Sequence, residues 1–507
     1  MFKSILHSKS EIVYNTEMPD FFEDTNINQV IDAIVASKEE YNLKPFFYTS
    51  LTDKEEIIYR QEIMKDIENL QLLKYLKSFA ENMQLIRNSL TQIERLDYDK
   101  HKARLFLDVV KIYCETLQSF SNNLAMIKFQ SKGFVSFFNF LLDYIKTDYF
   151  LMLETEIRKI SSELDSVKYC LLIQDLQVTV RNYKQEPDLT KEIETIFDRF
   201  KQKDVSDYRI DVAYPDYMNH VEAKILEFVA QLNPELFTHL LAFYSENKNF
   251  RDETIIRFDR EVQFYISFLE YIEKFENKDL KFCYPQMNNT SKEVYSYDFF
   301  DLALAEKLLH RENKVITNDF YLTGTERILI VSGPNQSGKT TFARTFAQIH
   351  YFASIGCKVP GNKSQLFIFD KILVHFESEE NIKNLSGKLQ NDLQRIYEIL
   401  QEATPNSILI LNEIFTSTTL QDAIFLSKKI MQKISELDLL CVWVSFIDEL
   451  SEYNEKTVSM MGEVVKENPD LRTFKIVRKP ADSLAFAISI AEKYKVTYNY
   501  LKDRIKL

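Results

Sequence analysis

The chain has 507 residues, of which 45% are hydrophobic and 27% charged, and a formal net charge of −13. Such a composition suits a globular protein with room for roughly two to four domains. The acidic excess argues against a surface built mainly to neutralise nucleic-acid phosphates, and no apolar run approaches the ~18 residues of a membrane span.

Residues Met1 to Ser8 lack an apolar core, so a secretory signal is not expected. The five cysteines, Cys114, Cys170, Cys283, Cys357 and Cys441, show no C-x-x-C pair. They read as buried free thiols of a reducing, cytoplasmic compartment. Of 8 glycines, only Gly133 precedes Gly324. A long stretch nearly free of glycine favours helices, whereas the glycine-punctuated remainder suits an α/β domain with tight strand-to-helix turns.

Helical spacing recurs through the first half. Ile63, Ile67, Leu70, Leu73, Leu76, Phe79, Met83, Ile86 and Leu90 fall three and four apart and predict one long apolar stripe, with Thr52-Asp53 as its start. A second pattern runs from about Phe134 to Tyr169. A third passes through Ile255, Phe258, Val262, Ile266, Leu269 and Ile272. All three read as helix-to-helix core. The short basic clusters Lys100 to Arg104 and Lys128 to Lys132 read as solvated faces rather than nucleic-acid contacts.

The C-terminal part carries the chemistry. Gly333-Pro334-Asn335-Gln336-Ser337-Gly338-Lys339-Thr340 reads G-x-x-x-x-G-K-T, with Thr341 after it. It follows the apolar run Ile328 to Ser332 and precedes the helix-forming run Phe342 to Ala347. In such a loop the amides cradle the phosphates of a nucleotide, here ATP. The Lys reaches the outer phosphates, the Thr hydroxyl meets Mg2+, and the helix N-terminus adds its dipole.

Downstream, Ser407-Ile408-Leu409-Ile410-Leu411-Asn412-Glu413 reads as a buried parallel strand whose carboxyl end reaches the site. An Asp normally stands before the Glu there and helps hold Mg2+. This chain has Asn412, which can accept a bond from a metal-bound water but carries no charge. Glu413 is expected to act as general base or to position the attacking water. Thr340, Asn412 and Glu413 form the expected metal-proximal set.

These motifs resemble those of the MutS mismatch-repair ATPases. The loop G-P-N-Q-S-G-K-T-T is similar to G-P-N-M-G-G-K-S-T of that family. Asn412-Glu413-Ile414-Phe415-Thr416-Ser417-Thr418-Thr419-Leu420-Gln421-Asp422 resembles its D-E-I-G-R-G-T-S-T-x-D. Val442 to Phe446 and Glu449-Leu450 fall where the family has a strand ending in Thr-His followed by Glu-Leu. Ser386-Gly387 sits where a Ser-led segment meets the partner subunit's nucleotide, with Ser386 or Gly387 in that Ser position. The likeness is clearest over residues 296–507. It implies a multidomain fold with a long-helix core, lever and clamp at 1–295. An α/β phosphate-loop ATPase domain of ABC-like type comes next at 296–478, and a helix-turn-helix at 479–507 packs against a neighbouring subunit. The openings of the core are placed at Phe21-Phe22-Glu23-Asp24 and Tyr59-Arg60-Gln61-Glu62.

Two departures bear on turnover: Asn412 replaces the metal-associated Asp, and Phe446 replaces a His that senses the nucleotide state. ATP binding with slow or partner-dependent hydrolysis is expected. The core begins early, so the domain with the family's Phe-x-Glu mismatch wedge is expected to be missing, as is a nuclease extension beyond Leu507. The resemblance thus implies a homodimeric, nucleotide-gated clamp on mismatched, branched or otherwise irregular DNA, with no membrane partner. Two alternatives stay open. One is a nucleotide-gated switch that binds another protein, which the acidic charge favours. The other is a more general ABC-like ATPase, although Leu385-Ser386-Gly387-Lys388-Leu389 matches the L-S-G-G-Q signature only in part. The adenine-stacking residue is sought in the stretch before Asn318-Asp319.

Overall fold

In the computed structural model the described residues are 2–9, 12–174, 177–185, 193, 196, 218–309, 311, 314–376, 387–465, 468–481 and 502. They divide into two compact units. The first holds residues 71–128 and 136–259, together with Met1, and the second holds 2–70, 129–135 and 260–507.

The chain opens with α1 (Phe21–Thr25), α2 (Ile27–Val35), α3 (Lys44–Tyr48), α4 (Lys54–Ile67), α5 (Leu70–Glu94), α6 (Asp99–Leu124), α7 (Lys132–Tyr144) and α8 (Asp148–Ser166). A hairpin of β1 (Tyr169–Gln174) and β2 (Gln177–Asn182) comes next, then α9 (His220–Leu232), α10 (Pro234–Glu246) and α11 (Glu253–Glu276). The Asp53 carboxylate caps α4 by accepting from the amide of Glu55, as a start at Thr52-Asp53 requires. The stripe from Ile63 to Leu90 is two helices, not one. The chain breaks at Glu68 and Asn69, Leu70 is 82% exposed, and Leu72 takes the buried place instead. The pattern from Phe134 to Tyr169 is likewise divided, with the Thr147 hydroxyl capping α8. The third pattern is the single helix α11, and Ile255, Phe258, Val262, Ile266, Leu269 and Ile272 are all buried on it.

Aromatic packing fills the first unit. Phe79 stacks on Phe120 with ring centres 4.5 Å apart, and Phe258 lies against Phe137. Of the two basic clusters, Arg104 pairs with Asp108 one turn on. In the second unit the amides of Gln130 and Ser131 donate to the Asp66 carboxylate. Cys114, Cys357 and Cys441 are buried free thiols, whereas Cys170 and Cys283 are half-buried.

In the second unit residues 2–9 form a bent, irregular segment held by helix side chains. Glu56 of α4 accepts from the amides of Ser8 and Lys9 and from the Ser8 hydroxyl. Glu261 of α11 accepts from the amide of Ile5, while the Tyr59 and Tyr265 hydroxyls donate to the carbonyls of Ser4 and Ile5. The fully buried Arg60 donates to the carbonyls of Leu6 and Ile355, at 2.8 and 3.1 Å.

The rest of the second unit is mixed α/β: β3 (Phe282–Cys283), β4 (Gln286–Asn288), β5 (Val294–Phe299), α12 (Leu302–Leu308), β6 (Asn318–Leu322), β7 (Ile328–Ser332) and α13 (Lys339–Ser354). Next come β8 (Val359–Pro360), β9 (Lys363–Phe367), β10 (Ile372–Phe376), α14 (Lys388–Glu402), β11 (Ile408–Asn412), α15 (Leu420–Leu437), β12 (Leu440–Val444), β13 (Thr457–Val465) and β14 (Asn468–Arg478). The main sheet runs β10-β11-β12-β7-β13-β14, parallel except for β14. A separate four-stranded sheet has the order β4-β9-β5-β6.

Every residue of β7, β11 and β12 is buried, as expected of strands covered on both faces. Ile328, Ile330, Leu409, Leu411 and Trp443 share one core with Ile396 and Ile399 of α14 and Ile430 and Ile434 of α15. The alternate residues point to the other face, where α13 packs on β11 and β12.

His350 is fully buried on α13 against Phe346, and its Nδ1 lies 2.8 Å from the Phe346 carbonyl. Burial pushes its pKa down from 6.5 to about 4. A depressed folded-state pKa contributes stability that is present above the unfolded value and lost as pH falls toward the folded one. His350→Leu should therefore lose roughly 2 kcal/mol less stability than the parent between pH 7 and pH 5. Urea unfolding at the two pH values measures this, and equal losses would refute it.

Candidate functional site at the carboxyl ends of the parallel strands

Gly333 to Gly338 connects the buried strand β7 to α13, the strand, loop and helix order read from the sequence. The loop is tight because two backbone positions are unusual. Gly333 has φ 126° and Gly338 φ 96°, both in the region that favours glycine. A Cβ on Gly333 would lie 2.9 Å from the amide nitrogen of Gly462 on β13, so another backbone supports the loop from behind. Ser337 packs on the same glycine, buried, with its hydroxyl unbonded.

Lys339 is only 6% exposed. Its Nζ donates to the carbonyls of Gly333 and Pro334 at 3.0 and 3.2 Å and lies 3.5 Å from the Glu413 carboxylate. Burial lowers its pKa, and Glu413 opposes that shift. The Thr340 hydroxyl donates to Asn412 Oδ1 at 3.0 Å. The loop and the end of β11 thus meet through two pairs, Lys339 with Glu413 and Thr340 with Asn412. Glu413 has φ 52° and its amide donates to the Val444 carbonyl, which turns the chain sharply at the carboxyl end of β11.

The remaining sequence-predicted positions are distributed around this point. The Asn335 carbonyl accepts from Arg472 Nε at 3.2 Å, and Gln336 has φ 61°. Thr341 lines a cavity. Gly387 opens α14, and Ser386 lies outside the described residues. Phe446 follows β12 and is 46% exposed. Apart from Lys479 to Ala481 and Lys502, the expected C-terminal helix pair also lies outside them.

The cavity beside the loop has a volume of about 510 Å³ and is lined by Phe299, Leu304, Ile316, Phe342, Gly338 and Thr341, among others. Lys314 and Ile316 belong to the stretch before Asn318 where the adenine contact was sought. Arg472 and Phe474 of β14 close another side. Asn318 fixes that strand: its Nδ2 donates to the Phe474 carbonyl and its Oδ1 accepts from the Ile476 amide, around a Phe474 at φ 58°. Sequence reasoning missed Arg472, Phe474 and Gly462. A glycine inside an alternating strand pattern was the available signal for Gly462; nothing in the sequence marks the other two.

The residues fit Mg2+ only jointly with phosphate oxygens. They offer a hydroxyl, a neutral amide and one carboxylate already facing Lys339. Among the described residues no cluster of three or more His, Cys, Asp or Glu could hold a metal ion.

Comparison with known proteins gives this geometry a family. The family model MutS domain V matches residues 329–503. The DNA mismatch repair protein MutS of Finegoldia magna is 27% identical over 186 residues, 36% of this chain and 22% of the relative. That of Caldicellulosiruptor bescii is 28% identical over 207 residues, 39% of this chain and 24% of the relative. The DNA mismatch repair protein MSH3 of Yarrowia lipolytica is 30% identical over 186 residues, 35% and 18% of the two chains. The match spans less than a quarter of these relatives' length. The chain is a multidomain protein of helical and mixed α/β parts that carries a MutS domain V. Its likeness to the MutS proteins lies within about 40% of the chain.

Proposed function

We propose that this protein is an ATP-binding, DNA-binding member of the MutS family that acts as a nucleotide-gated dimeric clamp with slow hydrolysis. One observation carries the reading: within the matched domain, Lys339 and Thr340 meet Glu413 and Asn412 beside a base-sized cavity. The loop amides and Lys339 hold the triphosphate, and the base enters the cavity between Ile316 and Phe474. Glu413 orients the attacking water and takes its proton. Mg2+, when bound with the nucleotide, neutralises phosphate charge near Thr340, Asn412 and Glu413.

The remaining parts belong to the same proposal. Residues 1–295 form the core, lever and clamp, residues 296–478 an ABC-like phosphate-loop ATPase domain, and 479–507 a dimerising helix-turn-helix. Ser386 and Gly387 contact the opposite subunit's nucleotide, and Phe446 occupies the switch position. ATP drives closure to the extent that it binds the closed dimer more tightly than the open one. The proposal puts the protein in the cytoplasm, on its five cysteines without a C-x-x-C pair. No helix among the described residues is long and apolar enough to cross a membrane. The net charge of −13 favours a second reading, a protein-binding switch with no DNA role.

Fluorescence anisotropy against matched, mismatched and four-way-branched DNA, with and without ATP and Mg2+, separates the two. Glu413→Gln, expected to retain the nucleotide, serves as a trapped state. About tenfold tighter, ATP-dependent binding to one DNA form is expected if closure contributes ~1.4 kcal/mol. Absence of DNA binding in protein that still binds ATP would leave the protein-binding switch.

A further inference from the structure

We propose that a second cavity, bounded by α1, β10 and α14, is a ligand site for an organic cation, an ammonium or guanidinium carried on an apolar stem. The inference stands apart from the nucleotide reading and does not rest on it. This cavity lies within the second unit, has a volume of about 340 Å³, and shares no lining residue with the cavity beside the loop. Ligand pockets begin at roughly 300 Å³.

Its walls are aromatic and acidic. Phe21, Tyr48, Tyr351 and Phe369 line it, and all but Phe21 are buried. Phe21 and Tyr351 pack edge to face with ring centres 5.6 Å apart. The charged lining sets Asp20, Asp24, Asp370 and Glu402 against Lys371 and Arg395. Glu402 faces Lys371 at 3.7 Å, and Asp370 accepts from the Thr404 and Ser407 hydroxyls. Arg395 lies 3.8 Å from Glu398, one turn along α14. Asp20 and Asp24 stand four residues apart at the start of α1, where like charges repel. Among the described residues neither of these two side chains has a hydrogen bond or an ion pair.

The groups just outside the lining do not supply the missing charge. Arg344 spends its Nε on the Asp24 carbonyl, at 2.8 Å, and lies over the Phe376 ring. His375 bonds Asp392, and Glu23 adds a further negative charge. Burial raises the pKa of the half-buried Asp24, and Arg344, His375 and Arg395 together do not reverse that shift. The carboxylate is thus short of positive charge in a cavity walled by rings.

That shortage selects the ligand. An anion would be repelled, and a neutral apolar molecule would strip water from two carboxylates without replacing it. A metal ion lacks its ligands: among the described residues no cluster of three or more His, Cys, Asp or Glu could hold one. An organic cation answers both walls, with a charge-assisted bond to Asp24 and its stem and charge against the ring faces.

The test is a saturation-transfer NMR titration of the full chain with butylamine and with 1-butanol, its neutral counterpart. The amine is expected to bind about tenfold more tightly, the effect of one charge-assisted bond. Added salt should weaken the amine and leave the alcohol unchanged. Asp24→Asn should cost the amine about tenfold in affinity. Asp20→Asn, at an exposed position, should weaken it in the same direction and keeps the test open should Asp24→Asn not fold. A capped Gly-Lys-Gly peptide separates two sources of the same cation: tighter binding than butylamine assigns it to a partner's lysine, weaker binding to a free amine, and either supports the site. Equal affinity for amine and alcohol overturns the inference, as does unchanged amine affinity in the two variants. Absence of amine binding in protein that still binds ATP overturns it too and leaves the nucleotide reading intact.

Discussion

Lys339→Ala is expected to weaken ATP binding by about 100-fold, within the range for losing a charge-assisted hydrogen bond. The ammonium is nearly buried and already oriented by two loop carbonyls, so little ordering remains to be done when phosphates arrive. Its loss also uncovers Glu413, which lies 3.5 Å away and would then repel the incoming anion without a neighbouring cation to offset it. Both effects act on the nucleotide, not on the fold, because α13 packs through Phe342, Phe346 and Phe352. Isothermal titration with ATP measures the change. A dissociation constant within about threefold of the parent's, under ~0.7 kcal/mol, would remove Lys339 from the site.

The second large effect is expected at Gly333. Alanine there must adopt φ 126° and bring its Cβ to 2.9 Å from the Gly462 nitrogen. No rotamer relieves that contact, because the backbone fixes the Cβ and its partner is main chain. Strain of this kind costs about 1–3 kcal/mol, and overpacking adds a similar amount. The loop has two ways to respond. It can move away from β13, which displaces the carbonyls that orient Lys339, or remain in place at the full cost in stability. Gly333→Ala should therefore lose ATP binding and melt several degrees lower, whereas Gly338→Ala, whose Cβ has no neighbour nearer than 3.8 Å, should show only the backbone strain of φ 96°. Differential scanning fluorimetry with and without ATP distinguishes them, and equal behaviour of the two variants would contradict this account of Gly462.

The parallel strands and the loop were legible because their physics is local. Ile328 to Ser332 and Ile408 to Asn412 are continuous apolar runs, and their ends fall where a covered parallel sheet places chemistry. The long helices were legible as helices but not as separate ones. Leu70 continues the three-and-four spacing of Ile63 and Ile67, and neither Pro nor Gly marks the break at Glu68-Asn69, so the phase of the pattern hid it. At Thr147-Asp148 a capping signal was present, but the apolar spacing on either side outweighed it. Arg472 and Phe474 belong to a different class. They lie far from the loop in sequence and reach it only because β14 pairs with β13, beside β7. Strand order is a tertiary property that periodicity does not carry.

The segment from Phe2 to Lys9 buries Phe2, Ile5 and Leu6 and is also held through its peptide groups: Glu56, Glu261, Tyr59, Tyr265 and Arg60 all bond to its main chain. It is held as a bound peptide ligand would be, with the difference that it is tethered and its groove is always supplied. Arg60 shares its guanidinium between Leu6 of this segment and Ile355, the residue after the helix that starts at Lys339. One guanidinium therefore joins this segment directly to the residue that follows that helix.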